Sequence, residues 1–322
     1  MKNNDIKIGV IGCGRWGINH LKVLTQLIPK SNIFASDIDK KRLEIASNYT
    51  KKLYLNYTDM IAANPDLNAV IIATSTNTHF EIAKNVLLYG KDVFIEKPIT
   101  TNLSDAKKLL KISTKNNLIL FPGHIFLFKK AFQIIKKEFN PNYKNNLVVI
   151  KRINNGPLIL DEGVVFDLVV HDIYLLNNLF NKRPQKIYAK SLKLGNAIVG
   201  IIIFLEFKNG LANIISSWTG LTSTREIHIF NGSKEFLWQD TEPSFLKIRI
   251  SNELKECRFQ NKKIKMYNAY KFEKVYNELD KNTLLEEDKK FIESIRTRRI
   301  LINPKEIIST IEVLEDIMNF IR

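Results

Sequence analysis

Three short stretches of the sequence carry residues that could do chemistry together. Val93-Phe94-Ile95-Glu96-Lys97-Pro98 is an apolar run ending on a carboxylate, an ammonium and a ring-locked residue. Gly12-Cys13-Gly14-Arg15-Trp16-Gly17 has the glycine spacing of a loop that cradles a dinucleotide pyrophosphate. Asp167 and His171 stand four apart in a segment that reads as a helix, which puts both on one face. A lysine at a strand end can hold a fixed charge beside a ligand, because strand tips in open parallel sheets line the ligand crevice. A histidine with a pKa near 6.5 suits proton transfer at neutral pH.

The chemistry that unites these residue types is hydride transfer to or from a nicotinamide. Hydride leaves a carbinol carbon only as the hydroxyl proton is taken. One positive charge ~4 Å from the developing alkoxide, at an effective dielectric of ~20, is worth about 4 kcal/mol, or roughly three pKa units. A hydroxyl with a pKa of ~16 needs more than that, so proton abstraction and charge stabilisation should be coupled.

In the glycine loop, Gly12 permits a tight turn, Gly14 lets the pyrophosphate approach backbone, and Gly17 lets helix pack on strand. Arg15 and Trp16 share that loop, and the helix it opens offers N–H groups and a positive dipole end to phosphates. Cys13 fills a variable position as a small residue with no redox role. Asp37, 20 residues after Gly17, is placed to accept from the ribose hydroxyls and to repel a 2′-phosphate. This favours NAD over NADP. In Ala73-Thr74-Ser75-Thr76-Asn77-Thr78-His79, Thr74 and Asn77 are candidate cofactor contacts with His79 beside them, and Thr78 reads as a helix cap. Glu96 and Lys97, at their strand end, face the same crevice.

The elements that must hold these residues follow from hydrophobic periodicity. Short apolar runs alternate with amphipathic segments through residue 121, the βαβ signature of a parallel sheet. Ile6–Ile11, Asn32–Ser36, Ala69–Ala73, Asp92–Glu96 and Leu118–Phe121 read as strands, and Asn102 with Asp105 as a capping box. A sharp turn at Lys97-Pro98 suggests a cis peptide. Beyond Pro122-Gly123, Asn146–Arg152, Gln185–Ser191, Ala197–Phe207, Ala212–Thr219 and Glu226–Phe230 read as strands joined by short turns. One helix, about Val164–Phe180, interrupts them. There Tyr174 and Asn178 extend the polar face of Asp167 and His171. Two helices end the chain, about Leu284–Thr297 and Lys305–Ile321, the second started by Asn303, Pro304 and Glu306. The expectation is an α/β protein: a dinucleotide-binding Rossmann domain over 1–121, and an α+β domain over 122–322 with an open, mainly antiparallel sheet.

Composition removes other classes. With 322 residues and 45% hydrophobic content the chain can bury a sizeable core, and no apolar run is long enough to span a membrane. No secretory signal is evident, so cytoplasmic residence is expected. Two cysteines provide neither a disulfide framework nor metal-ligand spacing, and no metal is expected. The net charge is +16, but the basic residues are scattered and mostly lysine, unlike a nucleic-acid-binding face. A positive potential would attract an anionic substrate such as a nucleotide sugar.

Ile8 to His20, Ala73 to Thr100, and Phe166-Asp167-Leu168-Val169-Val170-His171-Asp172-Ile173 together resemble the glucose–fructose oxidoreductase, inositol dehydrogenase and rhizopine-catabolism (Gfo/Idh/MocA) family. The resemblance implies Lys97, Asp167 and His171 as the catalytic trio. His171 would be the general acid/base, Lys97 would polarise the oxygen, and Asp167 would bind substrate. It also implies NAD(P), a sugar, polyol or nucleotide-sugar substrate, and a homodimer or homotetramer formed through the C-terminal sheet. By that resemblance His124 would be a substrate contact; Tyr174, on the polar face of Asp167 and His171, is a further candidate. The stretch Ser217-Trp218 through Arg225 to Gly232-Ser233 resembles a subgroup pattern without a derivable role. The glycine that many members carry two residues after the Asp is missing here. Two other readings exist within the family: an NAD-dependent glycosidase, whose Gly-Gly-His-Gly-Gly stretch is absent, and a non-catalytic dinucleotide sensor, which has no use for the trio.

Overall fold

The computed structural model describes residues 5–156, 163–259, 262–267, 270–280, 282–300, 302 and 304–321. They fall into two compact units, Met1–Phe128 with Asn282–Glu312, and Lys129–Lys281 with Val313–Arg322.

The first unit is built on a six-stranded parallel sheet. Its strands are β1 (Ile8–Ile11), β2 (Ile33–Ser36), β3 (Lys52–Tyr54), β4 (Ala69–Ile72), β5 (Asp92–Ile95) and β6 (Leu120–Pro122), in the order β3-β2-β1-β4-β5-β6. Every residue of β1, β2, β4 and β5 is buried, which is why their sequences are unbroken apolar runs rather than alternating ones. Helices α1 (Arg15–Leu27), α2 (Lys40–Ala46), α3 (Tyr57–Ala63), α4 (Thr76–Leu88) and α5 (Leu103–Lys115) provide the crossovers. The order reverses between β1 and β4, so the ligand crevice of this sheet lies at their carboxyl ends.

Local chemistry sets the helix starts. Asp39 accepts from the Lys41 amide at 2.9 Å, and Asn102 accepts from the Asp105 amide at 2.9 Å while donating to the Asp105 carboxylate at 2.8 Å. Thr78 is not the cap of α4. Ser75 already has the extended backbone of a cap, so the helix starts at Thr76, and the Thr78 hydroxyl donates to the Ser75 carbonyl at 2.7 Å. The Lys97-Pro98 peptide is cis.

A helix distant in sequence completes this unit. In α8 (Thr283–Thr297), Phe291 sets its ring 5.5 Å from those of both Phe94 and Phe121. Arg298 just beyond it donates to Asp92 at 2.5 Å. A division at residue 121 would leave α8 and residues 122–128 in the second domain. By their contacts these segments group with the first unit.

The second unit holds an eight-stranded sheet made of β7 (Asn146–Asn155), β8 (Lys186–Leu194), β9 (Ala197–Phe207), β10 (Gly210–Ser217), β11 (Thr219–Asn231), β12 (Lys234–Gln239), β13 (Phe245–Ile250) and β16 (Phe272–Asn277). The order is β16-β13-β12-β11-β7-β10-β9-β8, antiparallel except for β7 beside β10. A separate hairpin joins β14 (Leu254–Phe259) to β15 (Lys262–Tyr267). One sheet face is core, with Val148, Ile150, Ile203, Leu205, Ala212 and Ile214 buried. It is packed by α6 (Lys130–Glu138) through Phe132 on Trp238, and by α7 (Val170–Phe180) through Phe180 stacked 4.0 Å from Phe207. The other face exposes Leu147, Ile202, Phe204 and Leu211. The final helix, α9, spans Pro304–Phe320 with Glu306 in its first turn; Asn303, expected as its cap, lies outside the described residues.

Helices α3 and α6 and strands β12 to β16 have weak sequence signals. The alternation is nonetheless present in Phe245-Leu-Lys-Ile-Arg-Ile250, where buried Leu246 and Ile248 alternate with Lys247 and Arg249. No described helix is long and apolar enough to cross a membrane.

Candidate active site

The first unit carries a cleft of about 380 Å³ at the strand ends, lined among others by Gly12, Asp37, Arg42, Tyr57, Thr74 and Thr78. Of the glycine loop, Gly12 lies in its wall. Gly12 has φ +88°, and a Cβ there would lie 2.7 Å from the Ala73 carbonyl oxygen. A Cβ on Gly17 would sit 1.8 Å from the Gly12 carbonyl oxygen. Both positions are therefore closed by the chain itself. Gly14 differs, since the nearest atom to its Cβ position is an Arg42 nitrogen at 4.0 Å, which leaves backbone open to approach. Helix α1 starts right after it, and no side chain caps Gly14. The first amides of a helix have no intrahelical partners, and a phosphate can take them.

Asp37 closes the far side of the loop. Its carboxylate accepts from the Cys13 amide at 2.6 Å and the Asp39 amide at 2.9 Å, and Arg42 stands 3.8 Å away. A carboxylate has about four acceptor positions, so two amides do not exhaust it. Burial, reinforced by the Asp37 charge, pushes the Cys13 thiol up to about 12, which keeps it an unreactive thiol. Arg15 and Trp16 are exposed on the first turn of α1. Asn77 is exposed on α4 and does not line the cleft, whereas Ser75 does. Arg42 and Tyr57 also line it; neither belongs to a motif, although Arg42 stands five residues past Asp37.

The Glu-Lys-Pro turn is held from several sides. The His79 ring nitrogens lie 2.9 Å from the Pro98 carbonyl and 3.1 Å from the Thr74 carbonyl, so this buried imidazole ties the β4 and β5 loops together. Glu96 faces inward. One of its oxygens is 3.0 Å from His20 Nε2, and the other accepts from the Lys97 amide at 3.2 Å. Lys97 is half-buried. His124 is buried nearby, and burial, with the Lys97 charge adding to it, drives its imidazole down to about 3, so it is neutral at working pH.

In the second unit the residues from 163 to 180 are buried with two exceptions, Asp167 and His171. A solvated polar face is therefore not what α7 presents. Tyr174 and Asn178 are inside, where Asn178 donates to the Tyr174 carbonyl and accepts from Lys136 at 2.7 Å. Val165–Val169 is a π-turn leading into α7, a feature that recurs at functional sites. The Trp218 indole N–H donates to Asp167 at 3.0 Å, and Trp218 is buried. On the other side of His171, Asp172 takes a forked contact from Arg152, with Nε at 3.0 Å and Nη2 at 2.7 Å from Oδ1. Burial pushes Asp172 up against the opposing pull of Arg152 and of Arg225. Arg225, 3.9 Å from Asp240, thus belongs to the charge set beneath the helix. Among the described residues no group of three His, Cys, Asp or Glu side chains is arranged to hold a metal ion.

Comparison with known proteins bears on the family and the fold. Residues 6–124 match the oxidoreductase family described as having an NAD-binding Rossmann fold, Gfo/Idh/MocA. Over residues 6–124 the chain belongs to the Gfo/Idh/MocA oxidoreductases. Curated relatives are dehydrogenases of CH–OH groups. A myo-inositol 2-dehydrogenase of Thermotoga maritima is 28% identical over 66% of this chain and 68% of its own. A UDP-N-acetylglucosamine 3-dehydrogenase of Acidithiobacillus ferrooxidans is 26% identical over 73% and 72%. A solved structure of the enzyme so named from A. ferrooxidans superposes with a TM-score of 0.82 at 19% identity, covering 98% of this chain and 97% of that one, which shows a shared fold.

Proposed function

We propose that this Gfo/Idh/MocA protein transfers a hydride between NAD and a hydroxyl or keto carbon of a sugar, polyol or nucleotide sugar. The observation that carries the reading is the burial pattern at 163–180: a helix sunk into a domain keeps only a carboxylate and an imidazole partly open. The glycine loop, the α1 N-terminus and Asp37 fit a dinucleotide, because the loop leaves open backbone at Gly14 and a carboxylate beside it. NAD supplies the hydride acceptor when bound. Asp37 favours NAD over its 2′-phosphorylated form through charge repulsion.

In this reading His171 takes the hydroxyl proton, and the Lys97 ammonium lowers the cost of the developing oxyanion. Asp167 accepts a hydrogen bond from the substrate and keeps its geometry. Glu96, with its carboxylate turned to His20, supports the turn rather than touching cofactor. His124 and Tyr174, expected to touch substrate, are both buried, His124 as a neutral imidazole. The exposed apolar sheet face at Leu147, Ile202, Phe204 and Leu211 is the surface through which copies of the chain would pair.

A thermal-shift screen with NAD, NADP, inositols, free sugars and nucleotide sugars tests this reading, since ligands stabilise as RT ln(1 + [L]/Kd). A shift with NAD and a further shift with one sugar class is expected. Lys97→Met should then abolish turnover while retaining NAD binding. A cofactor shift with no response to any sugar class, and no turnover to lose, would favour a dinucleotide sensor instead.

A further inference from the structure

Beneath the Glu-Lys-Pro turn lies a cluster of ionisable groups that the reaction itself does not use. His20, from α1, is fully buried. Its Nδ1 is 2.9 and 3.1 Å from the two carboxylate oxygens of Asp288, and its Nε2 is 3.0 Å from Glu96. A neutral imidazole donates from one nitrogen only, whereas ionised carboxylates only accept. Two carboxylates on the two ring nitrogens therefore call for the doubly protonated ring. Burial alone would push His20 down, but Asp288 and Glu96 carry it well above its ordinary value.

The surroundings fit one cation with two anions. Glu287, the neighbour of Asp288 on α8, is also buried, accepts from the His124 backbone amide, and leaves Oε1 without a hydrogen-bond partner. Burial and the nearby Glu96 charge raise it well above its ordinary value. Burial also raises Asp288, and His20 opposes that rise. The edges of Phe94 and Phe291 close the rest of the pocket, with the His20 ring 5.0 Å from Phe94.

We propose that His20, held as an imidazolium between Asp288 and Glu96, is a positioning residue for Lys97. Its charge orients the Glu96 carboxylate, whose second oxygen receives the Lys97 amide, and Asp288 of α8 thereby fixes the Lys97 turn from 191 residues away in sequence. The proposal rests on the reading that Lys97 acts in the reaction. The groups that face the ring are Asp288 and Glu96, with Glu287 behind them. On the far side of the turn are Lys97 and the neutral His124.

The test uses the full chain labelled with 15N-histidine and 15N-lysine, the Lys97 amide being assigned with Lys97→Arg. Between pH 6 and 10 the His20 ring should carry both protons well past neutrality. The Lys97 amide resonance should shift in step with His20 when the ring finally titrates. In Asp288→Asn both events should move at least one pH unit lower. With a substrate in hand, the alkaline limb of kcat should move with them while KM for NAD stays within about twofold. A His20 ring neutral at pH 7.5, or a Lys97 amide indifferent to His20, overturns the proposal even if the protein turns over sugars. The coupled shift without any turnover would retain the His20 link and refute the dehydrogenase reading.

Discussion

The Trp218 indole N–H donates to the Asp167 carboxylate at 3.0 Å, from the point where β10 passes into β11 to the π-turn before α7. Trp218 is 51 residues away in sequence and belongs to a stretch whose pattern carried no derivable role. The bond gives it one: a rigid, buried donor that sets the rotamer of a carboxylate in the proposed substrate site.

Trp218→Phe keeps most of the ring volume and removes the donor. Hydrogen bonds to charged groups are worth about 1.5–3 kcal/mol, so kcat/KM should fall roughly 10- to 100-fold with NAD affinity unchanged. A double-mutant cycle with Asp167→Asn checks the route. Strictly additive effects would show that Trp218 acts elsewhere.

The three loop glycines should fail in different ways. Gly17→Ala and Gly12→Ala each drive a Cβ into backbone carbonyl, and urea unfolding should show losses of several kcal/mol, beyond the ~1 kcal/mol typical of a single substitution. Gly14→Ala meets open space, so it should fold with near-normal stability and lose NAD affinity. Calorimetric titration of the folded variant with NAD decides the matter.

Asp37→Ala should weaken NAD and narrow the gap to NADP, as measured by the ratio of the two dissociation constants. It should also cost about 1–3 kcal/mol of stability, because the buried Cys13 amide loses its acceptor. An unchanged ratio would remove Asp37 from the ribose site.

His124 should make the protein acid-labile. Its folded value is depressed from 6.5 to about 3, so its contribution to stability is complete above 6.5 and is lost as pH falls toward 3. At ~1.4 kcal/mol per unit, the wild type should lose about 2 kcal/mol more than His124→Gln between pH 7 and 5. Equal losses in paired urea titrations would show that the imidazole is not kept neutral. His20 has the opposite sign: its raised value means stability present below 6.5 and lost as pH rises through the folded value.

Much of the first unit was legible because its signals are local. The β1 and β4 runs, the glycine spacing and the Asn102 cap each follow from a few consecutive residues. Lys97, Asp167 and His171 were also readable as types, and Asp167 and His171 are the partly open residues of their segment. What supports them was not readable. Asp288 lies 268 residues from His20, and Arg152 reaches Asp172 across the sheet; neither pairing leaves a periodic trace. Glu96 read as a crevice residue because alternation places side chains on a face without saying whether a partner lies there. Tyr174 and Asn178 show the same limit, since polarity on a helix stripe does not distinguish water from a packed hydrogen bond.

Helix α8 has a consequence for synthesis. The first unit takes its Asp288 and Phe291 from residues made after the whole of the second unit's sheet. During translation, residues 1–128 can form the parallel sheet, but His20 has only half its partners and Phe94 and Phe121 lack a neighbour. The nascent nucleotide-binding half must wait, aromatic surface uncovered, until the ribosome has passed residue 297. A chain truncated within the second unit should therefore be a client for chaperones in its first.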